Sequence, residues 1–367
     1  MKIAILTLPL ETNYGGVLQA YALQTTLEWL GHSVFVINKP YYHNLPLICF
    51  RPLIYFLRFL NKKIGKYDDA IRKEKCYNFN RDIRCRKIQQ FVDSNINQYI
   101  INSLDEIPKE DFEAILVGSD QIWRPKYFKN NFHTSFPNAF LSFTEGWNIR
   151  RIAYAASYGT DNIELTEEEI SECKDSINLF NGVSLREDSG VDVCRKIFGY
   201  KNAIQMPDPT LLLSKDEYLS LCDEQERSGH SLLVYFLDNN EDKMNLVDIV
   251  AKEKKIDPYY INMGSITLPS IGHWLSSFRD AEYVVTDSFH ACVFSIIFHK
   301  PFIVYGNSER GLSRFTSLLK TFHLEESMVL CSKDFIIEKL KPLPDDIESV
   351  IRKQKEKALA FLSSHLS

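Results

Sequence analysis

The sequence predicts an α/β protein with two doubly wound domains, and three observations lead to this prediction. The chain has 367 residues, more than the roughly 150 residues of one typical domain. Short apolar runs rich in β-forming residues alternate with helical patterns, which is typical of parallel sheets. A polar stretch between residues 213 and 229 separates two such series. We therefore expect two parallel sheets with a cleft between them.

The first series is expected to form an N-terminal domain at residues 1–213. It begins with KIAILTL, a glycine-containing loop, a helix that stops at Gly31 and a second strand. Strand, loop, helix and strand in this order form the building unit of a parallel sheet. The predicted strands are 2–8, 32–38, 114–120, 151–159, 181–188 and 203–205, and the predicted helices are 17–31 and 191–198.

The second series is expected to form a C-terminal domain at residues 229–343. It repeats the alternation of apolar strands and amphipathic helices. A charged amphipathic helix at 344–367 follows a Pro-Asp-Asp turn and ends the chain. The predicted strands are 231–238, 258–264, 281–287 and 301–306, and the predicted helices are 241–253, 274–279 and 288–299.

A basic insertion at about 45–90 interrupts the first domain. Residues 51–90 contain 12 Lys and Arg against 4 Asp and Glu, a local excess of +8 in a chain of net charge −5. The block starts with an apolar and aromatic run at 48–60, broken only by Arg51 and Arg58. Such a segment can lie on an anionic membrane. Alternatively, its apolar face packs on its own domain and its basic face is solvated.

Composition and motifs exclude several function classes. The negative net charge argues against nucleic acid as the main partner. No window reaches 18 uncharged apolar residues, and the first ten residues are too few for a signal peptide. The eight cysteines show neither a CxxC pair nor zinc-like spacing, and GxGxxG, P-loop and HEXXH motifs are missing from the sequence. We expect a cytoplasmic protein that uses no metal and no cofactor.

Residues directly after the strands are the candidate site residues, because ligands of open α/β sheets bind beyond the carboxyl ends of the strands. NYGG follows the first strand and contributes Asn13, Tyr14, Gly15 and Gly16. Glycines let the backbone approach a ligand, and free N–H groups at a helix start attract anions. The alternative is a plain turn with no ligand.

The segment GSDQIW ends another predicted strand with Ser119, Asp120, Gln121 and Trp123. Hydroxyl, carboxylate and amide groups can hydrogen-bond sugar hydroxyls. The ring of Trp123 can stack on a pyranose. The alternative is that Ser119 and Asp120 only cap the next helix.

An arginine and an aspartate lie near the ends of the last two predicted strands of the first domain. Arg186 ends the strand in SLRED, and Asp208 comes after 203–205. A guanidinium at the end of a buried strand requires an anion, and its planar donors suit a phosphate or carboxylate ligand. An internal ion pair of Arg186 with Glu187 or Asp188 is the alternative.

His290 lies in the first turn of a predicted apolar helix in the second domain, where Asp287 or Ser288 can cap it. The helix dipole favours an anion at this point, and histidine can donate to the anion or transfer a proton. A purely structural histidine is the alternative. Arg314, and with less support Arg310, can complete the anion pocket.

The ordered segments resemble the polysaccharide pyruvyl transferase family over roughly residues 3–320. They are NYGGVLQAYALQTTLEWLGHSV, ILVGSDQIW, IAYAASYG, VSLREDSG, DPTLLL and VVTDSFHACVFSIIFHKPFIVY. The resemblance implies two Rossmann-like domains of the glycosyltransferase-B type, with the acceptor on the N-terminal and the donor on the C-terminal domain. It also implies a reaction in which pyruvate is transferred from the co-substrate phosphoenolpyruvate to a sugar of a bacterial surface glycan. The product is a pyruvate ketal of that sugar.

The resemblance also assigns residues to the donor. Arg186 matches an arginine of the family that binds phosphoenolpyruvate, and His290 matches the histidine of its Arg-Leu-His segment. In this chain that segment reads Ser288-Phe289-His290, so the arginine is missing. Arg314 or another arginine then supplies the second cation, or the donor differs.

The implied mechanism uses His290 as general acid on the enol carbon and Asp120 or Asp208 as base for the attacking hydroxyl. The expected partners are phosphoenolpyruvate and a glycan or lipid-linked sugar, with peripheral contact at the inner membrane face. The acceptor is expected to contact Asn13, Tyr14, Gly15, Gly16, Ser119, Gln121 and Trp123, and the donor Arg186, Ser288, His290 and Arg314.

Two other functions stay open at this point. One is a glycosyltransferase with a nucleotide-sugar donor, whose ribose would need a carboxylate such as Glu282 or Asp287. The other is a glycan-binding relative without catalysis, for which the missing arginine is the argument.

Overall fold

The computed structural model describes residues 1–40, 47–63, 73–160, 164–224, 231–261, 267–307 and 311–367, without the side chains of 61–63. Two parallel sheets with flanking helices occupy these ranges. The predicted α/β class with two doubly wound sheets is therefore confirmed. Arg310 and the end of the strand predicted at 258–264 lie outside the described residues.

The first sheet has seven parallel strands in the order β3-β2-β1-β4-β5-β6-β7. The order reverses between β1 and β4, which puts a crevice beyond the carboxyl ends of these two strands. The strands are β1 (Lys2–Leu6), β2 (Ser33–Asn38), β3 (Gln98–Ile100), β4 (Ala114–Val117), β5 (Arg150–Ala156), β6 (Gly182–Leu185) and β7 (Ile204–Gln205).

The second sheet has five parallel strands in the order β12-β11-β10-β8-β9. Its order reverses between β8 and β10, so the carboxyl end of β10 borders a second crevice. The strands are β8 (Leu232–Tyr235), β9 (Pro258–Tyr260), β10 (Tyr283–Thr286), β11 (Phe302–Tyr305) and β12 (Met328–Val329).

Helices cover both sheets, and the two helices that enter the cleft are the most apolar. α1 and α10 carry buried residues on every side, as expected for helices that are enclosed by other elements. The helices are α1 (Tyr14–Trp29), α2 (Arg51–Lys63), α3 (Lys73–Asn95), α4 (Pro125–Phe132), α5 (Glu167–Ile177), α6 (Asp188–Lys196), α7 (Lys215–Leu219), α8 (Glu241–Lys254), α9 (Ile271–Asp280), α10 (Phe289–Ile297), α11 (Ser313–Thr321) and α12 (Ile347–Leu366). Within the described ranges, no helix combines the length and hydropathy needed to cross a bilayer.

Aromatic packing joins the two domains at the start of α1. The ring of Tyr14 stacks on Trp274 of α9 at 5.4 Å and 9°, and its hydroxyl donates to the Pro269 carbonyl at 2.9 Å. Tyr14 is fully buried. The Tyr14 side chain thus holds α1 against the second domain, and its role as an acceptor residue stays a prediction.

The last helix returns to the first domain. Phe361 of α12 packs on Tyr154 of β5 at 6.3 Å, and Lys357 donates to the Gln205 carbonyl at 2.6 Å. The chain thus crosses twice between the domains, once between β7 and β8 and once before α12. These crossings hold the carboxyl ends of both sheets beside each other.

Candidate functional site

Five charged or titratable side chains meet in the cleft, although they are far apart in the sequence. Each comes from the segment after a strand or from the first turn of a helix, and each is at most 7% exposed. They are Asp120 after β4, Arg186 after β6, Asp208 after β7, His290 of α10 and Arg314 of α11. We call these residues the cleft cluster.

Arg186 is the centre of the cleft cluster. Its Nη1 donates to Oδ2 of Asp208 at 2.8 Å, and its Nη2 donates to Oδ1 of Asp120 at 3.3 Å. The guanidinium lies 4.3 Å from the centre of the Phe289 ring. Arg186 thus forms internal ion pairs with Asp120 and Asp208. The sequence had suggested its neighbours Glu187 and Asp188 as partners instead. Its buried Nε has no hydrogen-bond partner among the described residues.

Asp208 is fixed by the turn that follows it. Its Oδ1 accepts hydrogen bonds from the backbone N–H of Thr210 at 3.0 Å and from the Thr210 hydroxyl at 2.7 Å. Burial alone raises the pKa of this carboxyl, but the charges of His290 and Arg186 outweigh burial and hold it well below the usual value. Asp208 is therefore ionised at neutral pH.

Asp120 is held from the other side by Asn13. The Asn13 amide donates to its Oδ2 at 2.9 Å, so the Asn13 side chain does not cap α1. Burial raises the pKa of Asp120, but the neighbouring charges of Arg186 and His290 produce a net lowering. Asn13 thus orients a carboxylate of the site in this structure.

His290 lies between the N-terminal ends of α1 and α10. A Cβ added at Gly15 would lie only 2.0 Å from Cγ of the imidazole, so the glycine makes room for the ring. Its Nε2 is 3.5 Å from Oδ2 of Asp208 but is not aligned for a hydrogen bond, and it has no such partner in the described ranges. This buried nitrogen faces a carboxylate and two helix N-termini, an arrangement that suits proton transfer beside an anion.

Replacing Gly15 by alanine is expected to displace the His290 ring and to lower any activity of the site by at least tenfold. An imidazole moved by about 1 Å loses its alignment with a reactant. Gly190→Ala is the matched control, because this glycine is also in a first helical turn and its added Cβ would meet other atoms at 3.3 Å or more. Steady-state kinetics and thermal unfolding of both variants check the prediction. Equal kinetics of G15A and wild type would contradict it.

Arg314 brings a second cation to the same place. It lies in the first turn of α11, 5.9 Å from the Phe289 ring that also contacts Arg186. Burial and the repulsion from Arg186 lower the pKa of Arg314 to about 10. The Phe289 ring therefore lies against two guanidinium groups.

Ser288 caps α10, and its hydroxyl accepts a hydrogen bond from the Ala291 N–H at 3.5 Å.

Glu187 also belongs to the site. From the sequence, this residue was suggested only as a partner for Arg186. Its Oε1 accepts from the Ser157 hydroxyl at 3.0 Å and from the Tyr158 N–H at 2.9 Å. Complete burial raises the pKa of this carboxyl, and its Oε2 has no hydrogen-bond partner among the described residues. Glu187 fixes the loop after β5 against the cleft cluster.

Trp123 does not lie in the cleft. Its ring is fully buried, stacks on Phe140 at 4.4 Å and donates through Nε1 to the Ala139 carbonyl at 2.9 Å. The predicted stacking on a sugar is therefore wrong. The reason is a core cluster of aromatic residues from α4 and the segment after it, which no local pattern at Trp123 indicates.

The remaining predicted acceptor residues are mostly used inside the protein. Ser119 is buried and donates from its hydroxyl to the Ala155 carbonyl at 2.9 Å. Gly16 accepts from the Gln19 side chain at 2.8 Å. Gln121 is half-buried against Gly159, whose φ of +73° and lack of Cβ permit this contact. Gln121 is partly exposed and Asn13 is exposed at the edge of the site.

The carboxylates considered for a nucleotide ribose are placed elsewhere or already engaged. Oδ2 of Asp287 accepts from the buried Lys243 at 2.6 Å, and its Oδ1 accepts from the Leu237 N–H at 2.7 Å. These bonds fix the turn that carries His290. Glu282 is exposed just before β10, at the end of the strand opposite the cleft. Neither residue is available to a ligand in the cleft.

The cleft cluster is closed in this structure. Its charged groups are nearly inaccessible, and Arg186 forms ion pairs with Asp120 and Asp208. No group of three His, Cys, Asp or Glu residues in the described part of the chain is arranged to hold a metal ion.

Comparisons with known proteins complete the description of the site. A model of the polysaccharide pyruvyl transferase family matches residues 13–309, which include four of the five cleft-cluster residues. A comparison with curated proteins gives no match. Among solved structures, the chain is similar to the UDP-GlcNAc 2-epimerase of Neisseria meningitidis bound to UDP-GlcNAc, with 9% identity, TM-score 0.49 and coverage of 100% of this chain and 99% of the epimerase. The chain is also similar to the Methanocaldococcus jannaschii UDP-GlcNAc 2-epimerase in complex with UDP-GlcNAc and UDP. The identity is 11%, the TM-score is 0.48, and the match covers 99% of this chain and 100% of that epimerase.

Proposed function

Because the chain belongs to the polysaccharide pyruvyl transferase family, we propose that it transfers pyruvate from phosphoenolpyruvate to two hydroxyls of one sugar in a bacterial surface polysaccharide. The product is a ketal, and phosphate is released. The observation that carries the proposal is the buried Asp208 carboxylate, which lies against Arg186 of its own domain and His290 of the second domain. This contact combines a proton donor with an anion-binding cation.

The donor requires at least two positive groups, because it carries a phosphate and a carboxylate. Arg186 and Arg314 supply two guanidinium groups near the Phe289 ring, at 4.3 and 5.9 Å from its centre. The N-termini of α1 and α10 add backbone N–H groups and favourable helix dipoles. In this proposal Arg314 takes over the charge that the family places at the position of Ser288.

His290 acts as the general acid in the proposed reaction. It protonates the methylene carbon of the enol, which leaves positive character on the neighbouring carbon that carries the phosphate. A sugar hydroxyl attacks that carbon and gives up its proton to a carboxylate. The bond from that carbon to the phosphate oxygen then breaks, and the second hydroxyl closes the ketal as phosphate leaves with the remaining proton. Ionised Asp208 lies 3.5 Å from Nε2 of His290, where it can orient the ring.

Asp120 is the better base of the two carboxylates in the cleft cluster. Asp208 lies against both Arg186 and His290, which hold its pKa well below the usual value and make it a weak base. Asp120 is 3.3 Å from Arg186, and its second oxygen is bonded to a neutral amide that a sugar hydroxyl can replace. Closure of the domains keeps water from the activated donor.

Incubation with phosphoenolpyruvate and a panel of sugar acceptors tests the proposed function. We expect release of inorganic phosphate that depends on the acceptor, together with a new ketal methyl signal in the NMR spectrum of the sugar. Thermal-shift measurements with phosphoenolpyruvate and with nucleotide sugars provide the comparison. Stabilisation by a nucleotide sugar alone would indicate a glycosyltransferase. Sugar binding without turnover of any donor would indicate a relative that has lost catalysis.

A further inference from the structure

Helices α2 and α3 of the basic insertion form a pair that projects from the first domain. Arg58 of α2 and Glu74 of α3 join them by two hydrogen bonds at 2.8 and 2.7 Å. The hydrogen bond with Arg58 lowers the pKa of Glu74 to about 2. The Arg58 side chain of α2 therefore points toward α3.

The outward side of α2 is an exposed apolar face. Leu53, Phe56, Leu57 and Leu60 recur at intervals of three and four residues, so they lie on one side of the helix. Each is exposed, with values from 36% to 57%, and the preceding residues Leu47, Ile48 and Phe50 are exposed as well. The alternative that this face packs on its own domain is therefore wrong. We call these seven residues the α2 apolar face.

The second helix anchors the pair near the cleft. Cys85, Ile88 and Val92 of α3 are buried against the first domain. Arg81 of α3 pairs with Glu11, in the loop between β1 and α1 that leads to the site. The backbone carbonyl of Arg84 accepts from the Leu268 N–H at 3.0 Å, which ties α3 to the second domain. Through α3, the helix pair is thus connected to both domains.

The charge around this face indicates what covers it. Residues 51–90 carry an excess of +8, so the rest of the chain carries about −13. Lys73, Lys75, Arg86 and Lys87 are exposed on α3. A second copy of the chain would bring two positive regions together, which disfavours self-association. An anionic lipid surface attracts this region and repels the remaining surface, and it buries apolar side chains in the boundary between headgroups and acyl chains.

We propose that the α2 apolar face, with the basic residues of α3, docks the protein on anionic membranes. Apolar side chains then enter the bilayer surface while lysines and arginines contact lipid phosphates. Such docking brings the protein to a surface that carries lipid-linked sugars. The docking itself does not depend on the proposed pyruvyl transfer.

Flotation of the full-length protein with vesicles tests the proposal. We expect binding to vesicles of phosphatidylcholine and phosphatidylglycerol that is at least tenfold stronger than binding to pure phosphatidylcholine, and that weakens as salt is raised. The combined variant Leu53→Gln, Phe56→Gln and Leu57→Gln is expected to lose at least tenfold in binding. These positions are 49–57% exposed, so the substitutions leave the core unchanged.

The matched control is the combined variant Leu237→Gln, Leu330→Gln and Ile336→Gln in the second domain. Its three residues are 53–56% exposed and equally apolar. We expect it to bind vesicles like the wild type. Equal vesicle binding by both triple variants and the wild type would overturn the proposal. A wild-type dimer that only the α2 variant converts to a monomer, without vesicle binding, would also overturn it and would identify a second copy as the occupant. Turnover with a soluble sugar acceptor is expected to stay unchanged in both variants, which separates docking from catalysis.

Discussion

Replacing His290 by glutamine is expected to lower the rate of phosphate release from phosphoenolpyruvate by about 10²- to 10⁴-fold, the usual contribution of general acid–base catalysis. Glutamine fills the space against Gly15 and retains a polar group near Asp208, but it cannot donate a proton to carbon. The loss should therefore fall on kcat, whereas KM for phosphoenolpyruvate changes little because Arg186 and Arg314 remain. Steady-state phosphate release with a saturating acceptor measures both quantities.

His299→Gln is the control for this variant. His299 follows the other end of α10 and forms an exposed ion pair with Glu348, which contributes little to stability. We expect its kinetics and unfolding transition to match the wild type. If H290Q keeps the full kcat with an unchanged pH profile, His290 is not the proton donor.

The positions of most strands along the chain could be predicted from the sequence because each buried strand is an apolar run followed by a polar segment. The predicted strands at 2–8 and 32–38 correspond to β1 and β2, with their ends moved by at most two residues. Two edge strands, β3 and β12, were missed. They have only three and two residues, too few for an alternating pattern to be distinguished from a loop.

The position of the site could be predicted for a related reason. Parallel strands bring their carboxyl ends to one edge, so Asp120, Arg186 and Asp208 had to lie near each other. The partner of each charge could not be predicted. Arg186 is paired with residues 66 and 22 positions away, and its neighbour Glu187 points instead to the loop after β5. Pairing at this range depends on how the two sheets face each other, which no local pattern contains.

The surroundings of the aromatic residues after the strands could not be predicted from the sequence. Tyr14 and Trp123 follow strands, as ligand-binding residues do, yet both rings are fully buried. An aromatic side chain suits a sugar-binding cleft and a hydrophobic core equally well. The decision depends on neighbours such as Trp274 and Phe140, which are brought close only by the folded chain.

Replacing Arg186 by methionine is expected to reduce the free energy of unfolding at pH 7 by about 3–5 kcal/mol, the usual effect of removing one partner of a buried ion pair. Asp120 and Asp208 would stay buried with much less positive charge beside them. Turnover should also become undetectable, because a donor-binding cation is lost. Chemical denaturation and phosphate release measure the two effects. Arg195→Met is the control, since Arg195 is exposed and donates only to the Ala203 carbonyl among the bonds described.

The pH dependence of stability separates this electrostatic effect from a simple packing defect. In the wild type, the pKa values of Asp120 and Asp208 are lowered on folding. The stabilisation from these two carboxylates is therefore present above their unfolded pKa of about 3.9 and is lost as pH falls through the lower folded values. In R186M the folded pKa values of both carboxyls should rise, so protonation relieves their burial. The stability difference between wild type and R186M is thus expected to shrink as pH falls from 7 toward 4. A difference that is constant over this range would mean that Arg186 acts through packing and that its ion pairs with Asp120 and Asp208 contribute no net stability.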